Sequence, residues 1–368
     1  MAAGIISFAY VAMTIVGALV FACALRETTP CRIRPLRSAV GIRRYALLGL
    51  VGAGCLVYDR LVVQRVDLTA GIAAARTEWA TLGEGRIGIS SPYSVAGNLL
   101  WAFAYVPLVY GHLYFELLRA RRKMPLVAIA LGFLGISAVS ALNGGRMPLV
   151  FAVAILAFTA AIRRSHGLPA APRLSFSARF VLCSALTAIC IYVPFVLIDR
   201  AAANHTELPE YTVSSISYLR GTPKPAWTEN PQPSDAVAVA SLSVAQLVHP
   251  FWLLELIRDN GYREGVPMLA STPLFLLQKM GFLRDVPNTW TYSGLYLSLP
   301  GAAYHDAGWP GLVLLAFCHS LVLAWCGLRL RAITPLRLAL IQAVGVVTVL
   351  SPLVPAFLAG PFPFLLVA

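Results

Sequence analysis

An arginine set in a tight turn between two apolar stretches is the most reactive-looking feature of this chain. Arg146 follows Asn143, Gly144 and Gly145. Paired glycines let a backbone fold back and let a ligand come close. A guanidinium held there can present two parallel hydrogen bonds to phosphate or carboxylate oxygens. The same setting also suits an arginine that snorkels to lipid phosphate or satisfies helix carbonyls. Arg220, Arg258, Arg263 and Arg284 could join it on a diphosphate, although Arg258-Asp259, Arg263-Glu264 and Arg284-Asp285 also read as local pairs at helix ends. His305 and Asp306 are adjacent, a combination able to take a proton from a hydroxyl. Trp227 and Trp290, with Tyr292 beside the latter, stand in polar, proline-containing sequence where an aromatic face can stack on a sugar. No Asp-x-Asp, His-x-x-x-His or cysteine pair accompanies these residues, and no phosphate-cradling glycine loop does. Neither metal nor cofactor is expected, so the charge of a leaving group falls to arginine.

What positions these residues is a membrane. The chain of 368 residues is 58% hydrophobic and 12% charged, with a mean hydropathy of +0.73, too apolar for a water-soluble fold of this length. Runs of about 20 residues that can cross the hydrocarbon are expected at 5–25, 45–63, 94–118, 124–142, 147–162, 179–198, 307–328 and 336–354. The fold class is therefore an all-α polytopic membrane protein of about eight spans, up to ten, in three parts. Residues 1–198 hold the first six spans, 199–306 form one large loop, and 307–368 return to the membrane. The tail at 355–368 carries Pro355, Pro361 and Pro363 and reads as a broken or re-entrant piece.

Charge orients the spans. The connectors at 26–44, 119–123, 163–179 and 329–337 hold 17 of the 29 Lys and Arg, against Glu27 and the adjoining Glu116. All the remaining acids lie elsewhere. Positive charge gathers on the cytoplasmic side, so Arg146 and the 199–306 loop are expected outside. The first span lacks a basic leader and precedes six arginines, the flank of an uncleaved anchor with its N-terminus outside. None of the seven cysteines falls in an outer connector, so no disulfide framework is expected. Stretches 236–257 and 266–277 of the large loop read as interfacial or re-entrant helices, with a pair of true spans as the alternative. The basic residues are parcelled among short loops rather than gathered in one patch, which excludes a nucleic-acid partner. The spans are nearly free of groups that ionise, with His112, Glu116 and His319 among the few exceptions, fewer than ion-coupled carriers use. His319 reads as a helix-packing histidine.

Two stretches carry a resemblance. The turn Leu142-Asn143-Gly144-Gly145-Arg146 resembles the small-Gly-x-Arg turn of bacterial oligosaccharide repeat-unit polymerases, the O-antigen and exopolysaccharide polymerases. The stretch from Leu299-Pro300-Gly301 through Tyr304-His305-Asp306 to Gly308-Trp309-Pro310-Gly311 is similar to the same family's segment before a late span. Leu297 stands where the related ligase branch has a histidine, and Ala302 where polymerases often have an acid. The resemblance implies a metal-independent glycosyltransferase of the bacterial inner membrane, its active site periplasmic. Its substrate would be a growing glycan on undecaprenyl diphosphate, and a chain-length regulator a further partner. It implies Arg146 at the diphosphate, with His305 or Asp306 as the base. Transfer of glycan to a lipid A core, as in O-antigen ligases, and movement of lipid-linked sugars by a flippase are the alternatives.

Overall fold

Backbone amides left unpaired in a bilayer are costly, so a chain this apolar satisfies them within helices. A computed structural model of the protein describes residues 2–24, 41–67, 71, 91–120, 125–142, 147–165, 167–172, 176–218, 234–260, 298–328 and 342, and among these there is no strand. In chain order the helices are α1 (Ala2–Ala24), α2 (Gly41–Tyr58) continued by a π-helical turn (Asp59–Val63), α3 (Pro92–Trp101), a 3-10 turn (Ala102–Tyr105), α4 (Val106–Leu113), α5 (Phe115–Ala120), α6 (Pro125–Leu142), α7 (Met147–Ser165), α8 (Phe176–Ala203), α9 (Leu208–Tyr218), α10 (Asp235–Asn260) and α11 (Leu299–Leu328).

Five stretches are long and apolar enough to cross a membrane: Gly4–Phe21, Ile42–Val63, Pro92–Leu113, Pro125–Leu142 and Leu299–Ala324. Helix α10 supplies a sixth if Asp235–Ala245 and Val248–Glu255, bent by 51°, make one broken span. Pro250 lies inside α10 and has no amide for the carbonyl four residues earlier, which places the bend. Phe8, Leu19, Leu134, Leu314 and Phe317 are exposed along these helices, an apolar surface that lipid covers. The chain is an all-α membrane protein. Helices α7 and α8 stand where spans were expected at 147–162 and 179–198 but are not among the five. The span expected at 336–354 lies outside the described residues except for Gln342.

The stretch expected as one helix over 94–118 is interrupted twice. Pro107 cannot donate to the carbonyl of Phe103, which takes the amide of Val106 instead and tightens the chain into the 3-10 turn. At Tyr114 the backbone leaves the helical region, and α5 starts afresh.

The described helices form two compact units. In one, α1 packs along α11, with α10 against both and α9 against α10. Its core holds Ile6 and Tyr10 from α1, Leu253 and Leu254 from α10, and Leu299, Leu312 and Ala316 from α11. The other unit holds α2 to α8 and is built on α2, which packs against α3 and α6. There the backbone of Ala104 lies so close to Gly49 and Gly132 that a methyl on either would overlap it.

Candidate functional site

Helix α11 begins at buried Ser298, whose hydroxyl oxygen accepts the amide hydrogen bond of Gly301 at 3.2 Å. A serine there satisfies an otherwise orphaned donor, and Pro300 suits the first turn. Regular helix lasts only to Ala307. Gly308 has φ 62° and ψ −149°, a backbone conformation essentially confined to glycine. Pro310 then has no amide to offer the carbonyl of Asp306. The first segment folds back on the span so closely that a methyl on Gly311 would sit 2.7 Å from the carbonyl oxygen of Ala303. In an unbroken helix those two residues would be more than two turns apart. Gly308-Trp309-Pro310-Gly311 is therefore a sharp break, and the start of the span expected at 307–328 falls directly before it.

His305 and Asp306 occupy the last turn before this break. Nδ1 of His305 lies 2.8 Å from Oδ1 of Asp306, with side-chain exposures of 4% and 11%. A carboxylate can only accept, so Nδ1 is the donor of that bond. A base oriented by a carboxylate has this arrangement. Tyr304 meets Trp309 edge to face across the break, with ring centroids 5.9 Å apart and planes at 88°. Trp309 is 48% exposed.

Of the residues expected in the site, His305 and Asp306 are brought together. Arg258 lies exposed on the last turn of α10. Arg146, Arg220, Arg263, Arg284, Trp227, Trp290 and Tyr292 lie outside the described residues. No three His, Cys, Asp or Glu side chains converge as a metal site would need, among the described residues.

Three polar groupings escaped the sequence reading as partnerships. In the α2 to α8 unit, Arg163 at the end of α7 is wholly buried and forms a fork with Glu116, Nη2 to Oε1 at 2.6 Å and Nη1 to Oε2 at 3.0 Å. It also donates to the carbonyls of His112, Leu113 and Pro169. It thereby takes over the last carbonyls of α4, which explains why the helix stops at Leu113. Burial alone would raise the carboxyl of Glu116, but the hydrogen bonds and charge of Arg163 outweigh it and hold the group below its ordinary value. At the other end of α2, the carboxylate of buried Asp59 accepts from the Ser91 hydroxyl and from Gln64 Nε2, and Ser91 in turn caps α3 by accepting from Ser94 N. In the other unit, Tyr10 of α1 and His319 of α11 share a 2.6 Å hydrogen bond, so His319 is a partnered packing histidine. One sequence signal pointed to the first grouping: an acid, Glu116, next to a strongly basic connector asks for a cationic partner.

No family model, curated protein or solved structure matches the chain.

Proposed function

We propose that the protein is an inner-membrane glycosyltransferase that polymerises undecaprenyl-diphosphate-linked repeat units into O-antigen or exopolysaccharide. The observation that carries this reading is the buried His305–Asp306 pair at the Gly308 break, where a long apolar helix begins. It lies in one of the two stretches that resemble the polymerases. In the proposed reaction an acceptor sugar hydroxyl attacks the anomeric carbon of the lipid-linked donor glycan. Its proton passes to His305 Nε2, the new glycosidic bond forms, and the bond to the diphosphate oxygen breaks. Asp306 holds the ring in the productive tautomer and favours the imidazolium that results. Arg146, with Arg220, Arg258, Arg263 or Arg284, would receive the negative charge that develops on the departing diphosphate.

The reading includes an orientation with about eight spans and a large periplasmic loop over 199–306. Support comes from the α2 to α8 unit. Exposed Arg43, Arg44, Arg119 and Arg164 belong to the end where Arg163 and Glu116 meet, whereas Asp59 and Ser91 belong to the opposite end. The positive-inside rule makes the arginine end cytoplasmic. Reporter fusions after Lys123 and near Glu229 should report cytoplasm and periplasm respectively.

The functional test is the set of glycolipids left in a deletion strain. A polymerase predicts single repeat units, on lipid or capped onto core, with no ladder. Long free chains would point to a ligase instead, and unchanged ladders would refute both.

A further inference from the structure

The dyad has an aromatic neighbour that its proton chemistry does not explain. Tyr304 precedes His305 directly, and Trp309 follows Asp306 by three residues, on the far side of the Gly308 break. The break and the fold-back at Gly311 bring the two rings into edge-to-face contact at 5.9 Å. An aromatic that merely anchors a span at the membrane boundary needs neither partner nor fixed angle. Here the indole is steadied by a second ring, and such pairs contribute beyond their buried area. Nearly half of Trp309 is nonetheless left open. A half-exposed ring steadied by Tyr304, four residues beyond the buried His305 across the break, offers an apolar platform close in the chain to hydrogen-bonding groups.

The charge of the site decides which half of the reaction it suits. Asp306, bonded to His305, places a carboxylate in the turn before the break, three residues ahead of Trp309 in the chain. A diphosphate brought there would meet like charge, whereas a neutral sugar meets an aromatic face for its C–H surface and acceptors for its hydroxyls. We infer that Tyr304 and Trp309 form the subsite for the acceptor sugar, which stacks on Trp309 with its attacking hydroxyl turned to His305. This assignment rests on the glycosyltransferase reading and adds to it the location of the acceptor, as distinct from the lipid diphosphate of the donor. Trp309 and Tyr304 are then positioning residues for binding, with the proton transfer left to His305.

The experiment uses the full-length protein in lipid nanodiscs and two probes. One is the neutral repeat-unit oligosaccharide freed from its lipid diphosphate by mild acid. The other is undecaprenyl diphosphate without sugar. Saturation-transfer NMR titrations would compare wild type with Trp309→Ala, Trp309→Phe and Tyr304→Phe, each checked for an unchanged thermal midpoint. The inference predicts that Trp309→Ala weakens oligosaccharide binding about tenfold, the order expected for one lost aromatic contact. Trp309→Phe, which keeps a ring, should lose less, and Tyr304→Phe, which keeps the edge-to-face contact, should stay close to wild type. Binding of undecaprenyl diphosphate should not change in any variant. Oligosaccharide affinity equal to wild type in Trp309→Ala would overturn the inference and leave the functional reading standing. So would a parallel loss for both probes, since the platform would then not be specific to the acceptor. A wild-type protein that binds undecaprenyl diphosphate but no oligosaccharide would overturn this inference together with the polymerase reading. If Trp309→Ala does not fold, Trp309→Leu is titrated in its place: Trp309→Phe should bind oligosaccharide more tightly than Trp309→Leu, and affinity equal to or below that of Trp309→Leu would overturn the inference.

Discussion

Substituting Gly308 by alanine places a side chain where the backbone has φ 62° and ψ −149°. Holding a non-glycine residue there costs about 1–3 kcal/mol. The helix can relieve that strain by straightening, which carries His305 and Asp306 away from the break. Gly311→Ala creates a different conflict, because its methyl would lie 2.7 Å from the carbonyl oxygen of Ala303, a backbone atom that cannot rotate away. Overpacking of this kind costs about 1–3 kcal/mol, against a gain of about 1 kcal/mol for replacing a helical glycine by alanine. Gly54→Ala in α2 is the control, since nothing lies within 4 Å of its new methyl and only the gain applies. Thermal midpoints of the purified protein should therefore rise slightly or hold for Gly54→Ala, fall by a few degrees for Gly308→Ala, and fall less for Gly311→Ala, whose net cost after that gain is about 0–2 kcal/mol. The double substitution Gly308→Ala with Gly311→Ala should cost less than the sum of its parts, because a straightened helix withdraws Ala303 from residue 311. Midpoints for Gly308→Ala and Gly311→Ala that track Gly54→Ala would refute the break, and with it the placing of the dyad.

Other substitutions probe the remaining polar groupings. Arg163 is buried but Glu116 is about half exposed, so Arg163→Ala should destabilise by about 1–3 kcal/mol, chiefly by leaving the carbonyls of His112, Leu113 and Pro169 without their donor, and Arg163→Lys should recover only part because it cannot fork onto Glu116; the thermal midpoint reports both. The Glu116 carboxyl is held below its ordinary range by Arg163, so its contribution is complete above the unfolded-state pKa and disappears as pH falls through the folded-state value. The wild-type midpoint should accordingly decline on acidification more steeply than that of Glu116→Gln. Asp59→Ala removes the acceptor shared by Ser91 and Gln64 and should cost about 1.5–3 kcal/mol by thermal or chemical unfolding, with Asp59→Asn milder because one acceptor remains. If Arg146 receives a diphosphate oxygen bidentately, Arg146→Lys should lower polymer formation roughly a hundred- to a thousand-fold, whereas an arginine that only snorkels would leave chain lengths unchanged.

The helices were legible where they are local. Uninterrupted apolar runs announced α1, α2 and α6 within a few residues, because span length is imposed by the hydrocarbon and not by neighbouring helices. Interruptions were less legible. Pro107 marks the 3-10 turn in principle, but the stop at Leu113 depends on Arg163, 50 residues away. Asp59 likewise meets Ser91 across 32 residues, and Tyr10 meets His319 across 309. No periodicity within one segment encodes such pairings. For the site, Gly308-Trp309-Pro310-Gly311 was visible as a motif and His305-Asp306 as a candidate base. What the sequence could not convey is that the motif folds the chain back on itself, since that rests on the conformation of Gly308 and the approach of Ala303 to Gly311.

The most direct test of the central claim is a reconstituted reaction. Purified protein in lipid vesicles is supplied with undecaprenyl-diphosphate-linked repeat units, and glycan length and released undecaprenyl diphosphate are measured together. The account predicts a ladder in which each new glycosidic bond releases one undecaprenyl diphosphate, insensitive to metal chelation and abolished by His305→Gln without loss of folding. Sugar that crosses the bilayer with no new bond formed, or a ladder of undiminished rate from His305→Gln, would contradict it.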